Sequence, residues 1–324
     1  MPSSATSTEA VQYVPYDQLD GIPNVIVDGS AQDDTVLTLS HWPGSPTPAE
    51  LRDDLSAQIA FHYLDRSDHH VTAEVVSNNH VDQDGLAAMY VLVAPEAAQA
   101  RREQLVDVAR AGDFATFAAR DSARIAWTIA ELAGGATRAG YPELLERLPE
   151  LLDHPDRYRD HWADEDAHLA AAEVGIADGT ITITEHPDLD LAVVTVPAWW
   201  QSRPSHRFTR IGASVVHPGA IHNATDQFTV LYQQGSRFEL VYRYETWVQY
   251  RSRRPRARVD LTLLAEELTA EEPGDARWTF DGVADLEPVL KLTGADASTI
   301  APQSFVERVM TSLRSAPIAW NPYS

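Results

Sequence analysis

Short apolar runs alternate with helical periodicity through the first half of the chain. NVIVDGS (24–30) and VLTLSHW (36–42) have the length of strands and end in polar, turn-forming residues. Residues 47–64, TPAELRDDLSAQIAFHYL, predict a helix with Thr47 as N-cap, Pro48 in the first helical position and apolar residues at helical spacing. VTAEVVSNN (71–79) is rich in β-branched residues and predicts a strand; LAAMYVLV, directly after Gly85, predicts a buried helix. Residues 96–134 read as helix with breaks near Gly112 and Gly134-Gly135, and YPELLERLPELL and RYRDHWADEDAHLAAAE continue in helix. This order predicts an α/β fold, a doubly wound, mostly parallel sheet with helices against it.

Beyond residue 176 the texture changes. GTITITEHPDLDLAVVTV predicts a strand pair, and FTVLYQQGSRFELVYRYETWVQY a second pair turning at Gly235-Ser236. RVDLTLLAEEL and SFVERVMTSL are amphipathic helices, and 197–226 reads as loop. The expectation is therefore two domains, an α/β domain over 1–175 and a smaller α+β domain over 176–324.

Composition narrows the partners. The 324 residues carry 48 acidic against 25 basic side chains, a formal charge of −23. Such a field repels long nucleic acid and leaves a small anion at a metal site as the easier ligand. All but one of the basic residues, Lys291, are Arg. No apolar run is long enough to span a bilayer, and MPSSATSTEAVQ lacks the basic and apolar regions of a signal peptide. Without Cys there are no disulfides or thiolate metal sites, and the cytoplasm is the simplest compartment to expect. Nothing in the chain predicts an oligomeric state.

Two clusters of potential metal ligands flank the strand at 71–79: Asp68-His69-His70 before it and HVDQDG (80–85) after it. In open α/β sheets ligands collect at the carboxyl ends of strands, which selects the second cluster. Asp82 and Asp84, two residues apart, can face one side with His80 in register, an N/O donor set suited to Mn²⁺, Mg²⁺ or Zn²⁺. Gly85 is expected to let the backbone turn sharply into the helix. The plainer reading is a polar loop in which Asp84 caps the helix. Asp28 and His41 follow the two earlier strands, and Asp113 lies in VDVARAGDF; if all meet, they form a two-metal cluster suited to phosphoryl transfer.

Three other groupings carry weaker signals. His161, Asp164 or Glu165, and His168 share one helical face; HPGAIHN (217–223) puts two His in a loop; and Arg251, Arg253, Arg254, Arg256 and Arg258 form a basic run. The run reads equally as an anion-facing surface or as protection of an edge strand. Trp199-Trp200 reads as hinge packing.

SNNHVDQDGLAAMYVL resembles the first motif of the DHH phosphoesterase superfamily, a strand, His-x-Asp-x-Asp-Gly and a helix of small and apolar residues. YRSRRPRARVDLTLLAEEL (250–268) is similar to the part of that superfamily's second domain where an Arg-Ser strand end leads into a helix. The resemblance implies a two-domain hydrolase with two divalent ions, Mn²⁺ or Mg²⁺, held by His80, Asp82, Asp84, Asp28, His41 and Asp113. Asp28, His41, Asp82 and Asp84 would be the catalytic groups, with Asp28 bridging the ions. Arg251, Ser252 and Arg253 would contact the substrate. The motif order differs: Asp28 and Ser40-His41-Trp42 precede the first motif, as in a circular permutation, and Trp42 stands where the family has a second His. The family's glycine-rich loop is replaced by EEPGDARWTFDG. The expected activity is hydrolysis of a phosphoester or phosphoanhydride in a small phosphorylated molecule or short oligonucleotide. The alternatives are a catalytically degenerate relative that binds a nucleotide or protein, and a one-metal hydrolase using HVDQDG alone.

Overall fold

The computed structural model describes residues 11–134, 140–201 and 211–323. It divides into two compact units, one comprising 1–113, 117–162 and 249–252, the other 114–116, 163–248 and 253–324. The main boundary falls at 162/163, inside a helix, and the four residues 249–252 belong with the first unit.

The first unit is α/β. Strands β1 (Gln12–Tyr13), β2 (Asn24–Val27), β3 (Thr35–Leu39) and β4 (Val75–Ser77) form a wholly parallel sheet in the order β1-β4-β2-β3. The edge strand β1 lies in a stretch with no apolar run to announce it. Around the sheet come α1 (Ser56–Asp65), α2 (Gln83–Val93), α3 (Pro95–Gln99), α4 (Arg102–Asp113), α5 (Arg120–Gly134), α6 (Tyr141–Asp153) and α7 (Arg159–Ala177), the last crossing the boundary residue. Helix α2 is apolar on all sides because it is covered on all sides, by α1, α4, α5 and α6 and by β1, β2 and β4. Leu86, Met89 and Val91 have no exposed surface, each burial worth about 1.5–3 kcal/mol. The site therefore rests on the best-covered helix of the unit.

Helix α1 begins later than the apolar spacing predicts. It starts at Ser56, and Thr47 is a buried tether: its hydroxyl accepts from the Ser40 N–H and reaches the carbonyls of Thr38 and Ser40. The backbone N–H groups of Ser56 and Ala57 are both taken by Asp84. A helix beginning at Pro48 would spend those donors on its own ladder and leave a buried carboxylate unsatisfied.

In the second unit β5 (Thr182–His186), β6 (Leu191–Val196), β7 (Thr229–Gln234), β8 (Arg237–Tyr242), β10 (Arg277–Phe280) and β11 (Val289–Thr293) form a mixed sheet ordered β10-β11-β8-β7-β6-β5. Within it β6 and β7 pair in parallel, and the predicted pairs β5–β6 and β7–β8 are antiparallel. Short helices α8 (Ile211–Val215) and α9 (Pro218–His222) occupy part of the stretch read as loop. β9 (Arg258–Val259) pairs with β12 (Ile318–Trp320), and α10 (Thr262–Thr269) and α11 (Pro302–Ser315) pack into the core, where Phe305 stacks on Phe238 with centroids 4.2 Å apart. Among the described residues no helix is long and apolar enough to cross a membrane.

Candidate metal centre

The carboxyl ends of three adjacent parallel strands deliver the donors. Asp28 directly follows β2, His41 follows β3 by one residue, and His80, Asp82 and Asp84 lie between β4 and the first turn of α2. Asp113 is the last residue of α4. His41 Nε2 lies 3.4 Å from Asp28 Oδ1, 3.8 Å from Asp84 Oδ2 and 3.6 Å from Asp113 Oδ2. His80 Nε2 lies 3.3 Å from the other oxygen of Asp28 and 2.8 Å from Asp82 Oδ2. The six residues singled out in the sequence thus meet in one cluster. Among the described residues, two groups of three place their donor atoms close enough to share an ion, Asp28/His41/Asp84 and Asp28/His80/Asp82. Asp28 belongs to both and turns a different oxygen to each.

These separations suit cations. Two donors each about 2.1 Å from one ion, at roughly right to tetrahedral angles, stand about 3.0–3.4 Å apart. Four carboxylates and two neutral imidazoles carry a charge that two divalent ions cancel. The residues present therefore fit a pair of divalent cations.

Each donor is held by a local device. Asp28 has φ 45°, in the left-handed region, so the chain reverses at the end of β2 and returns to β3 through residues 28–34. Its Oδ1 also accepts from the Ser56 hydroxyl at 2.8 Å. Next to it, a Cβ on Gly29 would lie 2.3 Å from Asn79 Oδ1 and 2.9 Å from Asn78 Oδ1, so this loop presses on the loop after β4 only because residue 29 is glycine. His41 Nδ1 stands 2.6 Å from the Asp54 carbonyl. A carbonyl only accepts, so Nδ1 carries the proton and Nε2 turns its lone pair to the carboxylates.

Asp82 is the N-cap of α2 and accepts the Gly85 N–H at 2.8 Å. Asp84 caps a different helix: fully buried, it accepts Ser56 N–H at 2.7 Å and Ala57 N–H at 2.8 Å at the start of α1. Gly85 works by close approach and not by a turn, since it sits inside α2. A Cβ there would lie 2.4 Å from Asn78 Nδ2 and 2.6 Å from the Tyr141 hydroxyl, and Asn78 donates to that hydroxyl at 2.8 Å.

Proton occupancy follows from this crowding. Burial pushes Asp28 up, but the hydrogen bond and charge of His80, with the bond from Ser56, outweigh it and hold Asp28 below the usual carboxylate range. Asp82 is raised by burial and then by the charge of Asp28. Asp84 is raised well above its usual value by the same two causes in the same order. Burial acts to lower His80, yet its bonds to Asp28 and Asp82 prevail and hold it at about 10. The proton that His80 shares with Asp28 and Asp82 occupies a position that a cation would take.

The remaining candidates disperse. Asp68 pairs with Arg66 on an exposed turn, and His70 Nε2 bonds the Tyr63 carbonyl, so the literal DHH triplet is outside both donor groups. Arg251 and Ser252 lie in the first unit, their N–H groups donating to the Asp54 carboxylate. Arg253 belongs to the second unit, where its guanidinium pairs with Asp190 at 3.0 Å and covers the Phe228 ring. Arg256 donates to the Asp188 and Leu313 carbonyls, Arg258 to Thr246 and three carbonyls, and Arg254 lies over Tyr323. Four of the five Arg in the run thus spend their side chains on partners within the chain. Among the described residues, Arg251 is the member whose guanidinium makes no hydrogen bond, ion pair or ring contact.

Two features escaped the sequence reading. Asp54 is a buried loop residue with no motif around it, inside the stretch read as one helix over 47–64. In the second unit Glu165, His168 and His217 converge from α7 and the start of α9, two segments whose His pairs were read separately; His217 Nε2 lies 3.7 Å from Glu165, and the two imidazoles meet edge-on at 5.5 Å. The ring of His161 lies 6.2 Å from that of Tyr158.

No curated protein matches the chain. A family model described as "Family of unknown function (DUF6687)" matches residues 9–324, nearly the whole sequence, and the chain belongs to that family.

Proposed function

We propose that the protein is a metal-dependent phosphohydrolase of the DHH type with a permuted motif order, cleaving a phosphoester or phosphoanhydride in a small phosphorylated molecule or short oligonucleotide. One observation carries this reading: Asp28 directs its two oxygens to two separate His/Asp sets. His41, Asp84 and Asp113 with one oxygen of Asp28 would hold one ion, and His80 and Asp82 with the other oxygen would hold the second. Mn²⁺ or Mg²⁺ suits donors so rich in carboxylate. Bound there, the pair would supply Lewis acidity at phosphorus and a water of lowered pKa.

The chain's own residues supply orientation. Asp28 fixes the spacing of the two sets, the N-terminus of α1 steadies Asp84, and Asp54 fixes the His41 tautomer. Arg251, exposed and without an internal partner among the described residues, would take the phosphate that does not react. A Cys-free chain suits the cytoplasm as the setting.

Metal content of the purified protein, with turnover of bis(p-nitrophenyl) phosphate and inorganic pyrophosphate in added Mn²⁺, tests the proposal. Two ions per chain, and turnover falling at least a hundredfold in Asp82→Ala and Asp84→Ala, are expected. Full metal-dependent activity in both variants overturns it. Trp42, whose ring packs on His80 with centroids 5.3 Å apart where the resembled family has a second His, favours a second reading, a ligand-binding relative without turnover. Two bound ions with no hydrolysis of any phosphorylated compound would select that one.

A further inference from the structure

We propose that Asp54 is a positioning residue for the cation-facing imidazole of His41, and that Ser252 holds Asp54 in place. The inference rests on the metal reading above and extends it to a loop that supplies no ligand.

His41 is gripped at two points outside the cluster. Its Nδ1–H donates to the Asp54 carbonyl at 2.6 Å, and its own carbonyl accepts the Gln249 N–H at 3.0 Å. Asp54 in turn is 4% exposed, and its carboxylate makes no ion pair among the described residues. Three donors from two successive residues satisfy it: the N–H groups of Arg251 and Ser252 on Oδ1, and the Ser252 hydroxyl on Oδ2.

A buried carboxylate without a cation depends on such donors. Removing one shifts the Asp54 backbone, and the carbonyl that sets the His41 tautomer and ring angle moves with it. Support of this kind behind a ligand imidazole is worth about 10- to 100-fold in metal affinity. The same bonds fix the backbone of Arg251 relative to His41 while its guanidinium stays exposed. Ion binding at His41 and anion binding at Arg251 are thereby linked, each tightening the other.

The test isolates one ion at a time. In an Asp82→Ala background, calorimetric titration with Mn²⁺ reads the ion at His41; in an Asp84→Ala background it reads the ion at His80. Ser252→Ala is expected to weaken the first at least tenfold and to leave the second within twofold, and Ser252→Thr to restore it by keeping a hydroxyl. Asp54→Asn, which retains the carbonyl used by His41, is expected to act like Ser252→Ala, and orthophosphate affinity of the Mn²⁺-loaded wild type is expected to exceed that of the Ser252→Ala protein. A purely structural role would lower the melting temperature of every metal-free variant and weaken both ions alike. Equal weakening of both ions, or unchanged affinity of the first, overturns the inference. Wild-type protein that takes up no Mn²⁺ overturns the metal reading itself, an outcome distinct from either.

Discussion

His41 in the first unit and His217 in the second are both buried beside carboxylates, yet they are wired in opposite senses. His41 spends its Nδ1 proton on a carbonyl, so Nε2 turns a lone pair into the space it shares with the oxygens of Asp28, Asp84 and Asp113. His217 Nδ1 accepts the Gly219 N–H at 2.9 Å as the cap of α9, so its proton sits on Nε2, on the side of Glu165. A ring nitrogen that carries a proton cannot ligate a cation. Among the described residues, the first cluster alone supplies groups of three donors close enough to share an ion. Residue type and burial are shared; the backbone group behind each ring decides which cluster suits a metal.

Substitution can break that contrast or sharpen it. The largest effect is expected for Asp28→Ala, which removes a donor from both ion sets: metal content measured by mass spectrometry should fall from two ions to none, while Glu165→Gln in the other cluster leaves it at two. Loss of metal in Glu165→Gln would erase the distinction. Asp84→Asn should abolish one ion and spare the other, because only the His41 set uses that carboxylate. Gly85→Ala drives a methyl into Asn78 and Tyr141, and thermal melts should show about 1–3 kcal/mol of destabilisation. The smallest effect is in protons. Cation uptake must expel the proton on His80, so titrations in buffers of different ionisation enthalpy should show net proton release near pH 7, and affinity should rise with pH. The sign reverses for the metal-free fold. His80, raised from 6.5 to about 10, contributes stability that is complete below pH 6.5 and is lost as pH climbs to 10, and melts across that window should record the decline.

What the sequence revealed about the centre came from strand grammar. Each of Asp28, His41 and the HVDQD group stands just past an apolar run, and parallel strands bring their carboxyl ends to one edge, so three distant segments could be joined without coordinates. Two strand pairs of the second unit were legible for a related reason, with Gly235-Ser236 marking the β7–β8 hairpin, whereas β10, β11 and the parallel pairing of β6 with β7 were not. Other features depend on contacts that local pattern does not encode. The late start of α1 is imposed by Asp84, 28 residues downstream of Ser56. Asp54 receives its partners from 197 and 198 residues away. The run Arg253–Arg258 looks like a surface in sequence, whereas its side chains are consumed by Asp190, by carbonyls and by a tyrosine ring.

The left-handed turn at Asp28 carries a consequence for engineering. A non-glycine residue there stores backbone strain of about 1–3 kcal/mol, and its charge is one that Asp82 and Asp84 both oppose. Replacement by glycine would relax the torsion, but it would also remove the bonds to His80 and Ser56 that hold the charged carboxylate, and with them the residue common to both donor groups. A library built on this scaffold that is meant to keep both donor groups therefore needs position 28 held constant.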